Sequence, residues 1–176
     1  VEGYEYVAPT PIDCKVQTLP HVDEWVANTG ADVRTGEAQC YYNRTGDFVN
    51  MPARNLFFDT DTSTATESYY SSLLHELTHW TGSPERLDRV KGKQFGDDAY
   101  AFEELIAELG ATFLCAQLGI SNDVRPDHAQ YIKSWIKKLR SDPKFLFQAA
   151  SKAQKAIDLL NDYNYETVAD DTKVAA

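Results

Sequence analysis

The sequence predicts an α+β fold, a small antiparallel sheet followed by a predominantly helical part. Two observations carry that expectation. Short β-prone runs separated by turn residues are confined to residues 31–51, and from Thr64 onward apolar residues recur at helical spacing. A length of 176 residues allows one domain with a proper core, and 43% apolar residues with aromatics spread from end to end mark a globular chain. Three regions are expected: an extended lead-in or linker at 1–19, a single domain at 20–163, and a frayed tail at 164–176.

Pro9, Pro11 and Pro20 frame the first segment, which reads as a tail, a wrapping arm or the remnant of a linker, and the start at Val1 fits excision from a longer protein. Pro20 to Asn28 reads as a short helix with Val22, Trp25 and Val26 on one face, stopped by Gly30. Strands are expected at Ala31–Thr35, Ala38–Asn43 and Asp47–Met51, split by Gly36 and by the Asn43-Arg44-Thr45-Gly46 turn, as a hairpin or meander. Pro52 ends the sheet, and Phe57 and Phe58 are expected to pack under the core.

Thr64 with Glu67 matches a capping box that opens the next helix, whose apolar face is Tyr70, Leu73, Leu74, Leu77 and Trp80. Gly82 and Pro84 end it, and residues 83–98 form a polar loop long enough to border a cleft. Ala99–Leu118 is the following helix, with Phe102, Leu105, Ile106, Leu109 and Phe113 as a broad apolar face. Pro126 with Asp127 opens another through Leu139, and Asp142 with Pro143 opens the last, to about Leu160.

Composition narrows the function classes. The net charge of −10 works against non-specific binding to nucleic acid or anionic membrane by this domain alone. No apolar run approaches the roughly eighteen residues that span a bilayer, and no leader is expected. Cys14, Cys40 and Cys115 are odd in number and widely separated, which points to a reducing compartment and away from a disulfide framework.

The chemistry gathers at Leu74-His75-Glu76-Leu77-Thr78-His79-Trp80. On a helix, residues four apart share a face, so the His75 and His79 imidazoles can bind one metal ion. Glu76 projects beside that ion, where it can take a proton from a water without being a ligand. A catalytic site needs a third protein ligand. Glu104 and Glu108 lie one turn apart on the next helix, on a face shared with Ala101, Ala107 and Ala111, whose small side chains let two helices approach. One carboxylate can bind the metal while the other accepts the free ring N–H of a ligand histidine. Glu104 is assigned as ligand and Glu108 as that acceptor. The reverse order stays open, as does a solvated surface for Glu103, Glu104 and Glu108.

The order of a His-Glu-x-x-His helix, a loop and a Glu-x-x-x-Glu helix resembles the gluzincins among the zincins. The longer set His75-Glu-Leu-Thr-His-Trp-Thr-Gly82, Arg86-Leu-Asp-Arg89, Phe95-Gly96, Tyr100 to Ala111, and Tyr131-Ile-Lys-Ser-Trp135 resembles the C-terminal metallopeptidase domain of ArdC-type antirestriction and polyvalent proteins. The match runs from about residue 20 to residue 160. It implies a zincin-like fold in a protein of a mobile element, bacterial and cytoplasmic, and allows delivery to a recipient cell with mobile DNA. Single-stranded DNA would be bound only by a separate N-terminal domain, to which nothing here corresponds.

The expected reaction is metal-assisted hydrolysis of a peptide bond in a protein or peptide substrate, with Glu76 as base and then acid. Two imidazoles and a carboxylate suit Zn2+ best, with Mn2+, Co2+ or Ni2+ able to occupy the same site. Tyr100, His128 and Tyr131 are candidate oxyanion donors. Ala38–Asn43 or Asp47–Met51 is a candidate edge strand for an extended peptide. A non-proteolytic metal-bearing interaction module and an acidic DNA mimic remain as alternatives.

Overall fold

The computed structural model describes residues 13–89, 98–120, 135, 142 and 144–174, with Asp98 and 166–174 as backbone only. In chain order it contains α1 (Pro20–Asn28), β1 (Asp32–Thr35), β2 (Tyr41–Asn43), β3 (Phe48–Met51), a 3-10 turn at Arg54–Leu56, α2 (Ala65–Trp80), α3 (Asp98–Gln117) and α4 (Lys144–Val174). The fold is α+β. The helix expected from Pro126 to Leu139 lies outside the described residues, except for Trp135, whose indole N–H donates to the Ala101 carbonyl at 2.9 Å. Helix α4 extends to Val174, well past the Leu160 at which the periodic apolar pattern fades.

The sheet is mixed, with strand order β1-β3-β2, where the turn pattern suggested an antiparallel one. β2 pairs with β3 antiparallel through the Asn43–Asp47 turn, but β1 pairs with β3 in parallel, Val33 opposite Val49. The crossover is braced by Asn50. Its side-chain amide donates to the carbonyls of Glu37 and Gln39 at 3.3 and 2.7 Å. Those bonds satisfy the backbone of the 36–40 connection as it crosses from one edge of β3 to the other, which a tight hairpin between β1 and β2 would not permit. Asp47–Met51 is therefore the central strand, and of the two candidate edge strands only the Ala38–Asn43 segment, through β2, lies at an edge.

Thr64 caps α2 as the sequence predicts, with its hydroxyl accepting from the Glu67 N–H and the Glu67 carboxylate accepting from the Thr64 N–H at 2.7 Å. α2 packs against β2 and β3 on one side and crosses α3 on another. Tyr70, Leu74 and Leu77 are fully buried along it, and each such side chain removed from water contributes about 1.5–3 kcal/mol. The described part of the lead-in, 13–19, is laid along the same helix: the Leu19 N–H donates to the Tyr70 hydroxyl and the Gln17 N–H to Thr66 Oγ1, both at 2.9 Å. Phe57 packs edge-on to Tyr69 with ring centres 5.2 Å apart. Phe58, expected beneath the core, is instead 53% exposed, because an extended backbone after the 3-10 turn sends neighbouring side chains to opposite sides.

A second apolar cluster joins α3 to α4 through Ala101, Leu105, Ile106, Ala149, Ala153 and Trp135. Phe113, assigned to the apolar face of α3 from spacing alone, is 40% exposed. Helix α4 also returns to α1. Asn164 donates to the Trp25 carbonyl at 3.2 Å and accepts from the Asn28 amide at 3.1 Å. Among the described residues no helix is long and apolar enough to cross a membrane.

Candidate metal centre

The crossing of α2 over α3 determines what the site can hold. Gly110 faces Thr78 so closely that a Cβ at residue 110 would stand 2.6 Å from both Thr78 Cγ2 and Oγ1. Ala101, Ala107 and Ala111 are buried on the same helix. Small residues thus let the backbones approach until the glutamates of α3 reach the histidines of α2.

At that approach His75 Nε2 lies 3.7 Å from one Glu104 carboxylate oxygen and His79 Nε2 lies 3.5 Å from the other. Ligand atoms from His75, His79 and Glu104 all fall within 4.8 Å of one another. The edge of a tetrahedron of ligands at zinc distances is about 3.3 Å, so this donor set suits a small divalent ion after a slight contraction. The far nitrogens are also engaged. His75 Nδ1 lies 3.4 Å from the Glu108 carboxylate, and His79 Nδ1 lies 3.2 Å from that of Glu103. With Nδ1–H donated backwards, the neutral form of each ring presents its Nε2 lone pair to a metal.

The cluster is buried and strongly acidic. Glu76, His79, Glu103 and Glu104 are all buried, and His75 is nearly so. Burial alone would lower the His75 pKa, but the adjoining Glu104 carboxylate and the charges of Glu76 and Glu108 outweigh it and hold it at about 9. Burial likewise opposes the Glu103 charge, yet hydrogen bonds from His79 and Arg89 keep that carboxyl at about 2. Glu104 is raised by burial and brought below the ordinary carboxylate range by His75, by His79 and by a hydrogen bond from the Tyr100 phenol.

The structure brings together His75, Glu76, His79, Glu104 and Glu108 from the sequence-derived set, and places Tyr100, one of the candidate oxyanion donors, beside Glu104. His128 and Tyr131 lie outside the described residues. Two participants were not singled out by spacing. Glu103 stands behind His79, and Arg89, from the segment after α2, stands behind Glu103. A faint signal for the pair existed in the acidic doublet Glu103-Glu104 and in the spacing Arg86-Leu-Asp-Arg89.

A small sheet resting on a His-x-x-x-His helix, crossed by a glutamate helix, defines a scaffold of the zincin type. The chain belongs to the MPTase-PolyVal family of zincin-like metallopeptidases, whose profile matches residues 20–152. It is 40% identical over 161 residues to the protein y4eC of Sinorhizobium fredii (strain NBRC 101917 / NGR234), spanning 92% of this chain and 50% of that one. It is 37% identical over 166 residues to the DNA primase TraC of Escherichia coli, covering 92% of this chain and 15% of TraC. The crystal structure of the antirestriction protein ArdC from plasmid R388 in its Mn(II)-bound form superposes with a TM-score of 0.73 at 43% identity, covering 86% of this chain and 54% of ArdC. The metal-free ArdC structure gives the same TM-score at 44% identity, covering 88% and 54%. The chain therefore spans about half the length of y4eC and of ArdC.

Proposed function

We propose that this domain hydrolyses peptide bonds with a divalent metal, zinc in the first place, held by His75, His79 and Glu104, as the peptidase part of an ArdC-like antirestriction protein of a mobile element. The observation that carries the reading is the convergence of both Nε2 atoms on the Glu104 carboxylate, at 3.7 and 3.5 Å, with Glu76 directly after the first histidine. When bound, the metal would acidify a water and polarise the scissile carbonyl. Glu76 would take the proton from the attacking water and hand it to the leaving amine nitrogen. Glu108 and Tyr100 would hold His75 and Glu104 in place. That the R388 ArdC structure carries Mn(II) supports a divalent ion, and Mn2+, Co2+ or Ni2+ could replace zinc in the same donor set.

The substrate would be a protein or peptide. Of the two edge strands, β2 packs more closely against α2, and it would hold an extended peptide by strand addition. The names of the plasmid R388 antirestriction protein ArdC and of the DNA primase TraC support a setting around DNA; in our reading that setting is the bacterial cytoplasm, with single-stranded DNA handled by a separate domain. The acidic charge favours a DNA mimic less than it first suggests. Asp23, Asp47 and Glu103 are paired with Arg54, Arg86 and Arg89 and are not set out in free surface rows.

The test is Glu76→Gln. It should keep metal and lose cleavage of an unfolded protein substrate by a hundredfold or more, on the order of 10² to 10⁴. Retained cleavage would remove Glu76 as the base. Retained antirestriction by the same variant of a full-length relative would separate proteolysis from the biology.

A further inference from the structure

Behind His79 lies a construction that the motif does not require. Arg89 donates Nε to both Glu103 oxygens at 3.3 and 3.1 Å, and Nη2 to Oε1 at 2.9 Å. Its remaining donors return to the last turn of α2, Nη2 to the Thr78 carbonyl at 2.6 Å and Nη1 to Thr81 Oγ1 at 2.7 Å. The guanidinium is therefore fixed to the helix that carries His79. Gly82 makes room for it, since a Cβ there would stand 2.9 Å from Nη2. The side chains of His79, Glu103 and Arg89 are 5%, 5% and 4% exposed.

We infer that Arg89 and Glu103 form a positioning relay that makes His79 the anchoring ligand and leaves His75 the adjustable one. The inference rests on the reading that this cluster binds a metal. Its physical basis is an asymmetry between the two histidines. Glu103 Oε1 accepts from Arg89 Nη2 at 2.9 Å and lies 3.2 Å from His79 Nδ1, while Oε2 accepts from Arg89 Nε at 3.1 Å, so the carboxylate is held away from the ligand position beside Glu104. An ionised acceptor that is held still fixes the ring plane and the tautomer of His79 together. The matching pair on the other histidine is longer, at 3.4 Å, and its side chains are 17% and 14% exposed, so water competes for it. A lysine could supply the charge of Arg89 but not its planar fork, which here reaches Glu103, Thr78 and Thr81 at once.

The test is titration of the metal-free 176-residue chain with Co2+, followed by absorption, for the wild type and four variants. Glu103→Gln and Arg89→Met should each weaken Co2+ binding by about 10–100-fold, and Glu108→Gln by less than either. The Glu103→Gln, Arg89→Met double variant should be no weaker than the weaker single one, because both act through one ring. ¹⁵N NMR of the neutral His79 ring should show the Nδ1–H tautomer in the wild type, and mixed tautomers in Glu103→Gln. Should Arg89→Met fail to fold, the isosteric Glu103→Gln decides by itself. The relay is overturned if folded Glu103→Gln binds within about threefold of wild type, if the single effects add, or if Glu108→Gln costs more. A wild type that binds no Co2+ removes the metal reading, and the relay with it.

Discussion

Gly110 on α3 meets Thr78 on α2 at a point where no side-chain atom can be added. The closest Thr78 atoms would lie 2.6 Å from a new Cβ, and Thr78 is fully buried with its hydroxyl donating to the Leu74 carbonyl at 2.8 Å. The glutamates meet the histidines only because this crossing is so tight.

Replacing Gly110 by Ala sets two effects against each other. Alanine gains about 1 kcal/mol in helix propensity, whereas overpacking a buried contact costs about 1–3 kcal/mol. At 2.6 Å from a β-branched side chain that cannot rotate away, the steric cost should win. Urea unfolding should show Gly110→Ala destabilised and its metal affinity reduced. Adding Thr78→Ala should restore part of the affinity, since it removes both clashing atoms.

Glu104 and Glu108 have separable expected roles. Glu104→Ala should abolish metal uptake, because both Nε2 atoms face its carboxylate. Glu108→Ala should weaken uptake by at most about tenfold, because it touches only the far nitrogen of His75. Metal analysis of the purified variants reads the difference directly. Loss of metal in the Glu108 variant alone would exchange the two assignments.

Removal of the metal should destabilise the whole domain, since Glu76, Glu103, Glu104 and Glu108 crowd one region and a dication offsets their repulsion. At free metal about a hundredfold above Kd, mass action contributes about 2.7 kcal/mol. For a domain of this size that is a drop in Tm of about 5–10 °C on adding EDTA. Scanning calorimetry should show the drop and its reversal by Zn2+.

The Asp47–Arg86 pair predicts an acid-side dependence away from the metal. Arg86 donates to both Asp47 oxygens, and these bonds hold the Asp47 pKa below its ordinary 3.8, with burial opposing and Tyr42 assisting. A depressed carboxylate pKa contributes stability that is complete above the unfolded value and is lost as pH falls through the folded one. Asp47→Asn suits the positive φ of 50° at this position while removing the charge. The Tm gap between wild type and Asp47→Asn should be constant near neutrality and close steadily below about pH 4. The gap should be modest, because the Asp47 side chain is 45% exposed and solvent screens it.

What the sequence made legible is what local spacing determines. His75 and His79 share a face because of helical pitch, the Thr64–Glu67 cap is written within four positions, and Glu104 and Glu108 repeat one turn apart. What escaped depends on contacts between distant segments. Arg89 reaches Glu103 only after the chain has turned back past Thr81, and no local pattern encodes that return. The crossover that leads to the parallel pairing of β1 is likewise braced at a distance, by the Asn50 amide bonding backbone eleven and thirteen residues earlier. The Phe58 and Phe113 assignments failed for the converse reason, since hydrophobicity alone does not say which side of a segment faces water.

The bonds between Asn164 and α1 join residues as many as 139 positions apart. During synthesis Trp25 and Asn28 must wait for their partner until nearly the whole domain has left the ribosome, a delay on the order of ten seconds at ordinary elongation rates. Until then the first helix has one face without its final cover, and the domain stays open at its seam. Helix α4 is the clasp, so a nascent chain halted before it would carry its histidines and glutamates on a scaffold still exposed to chaperones and proteases.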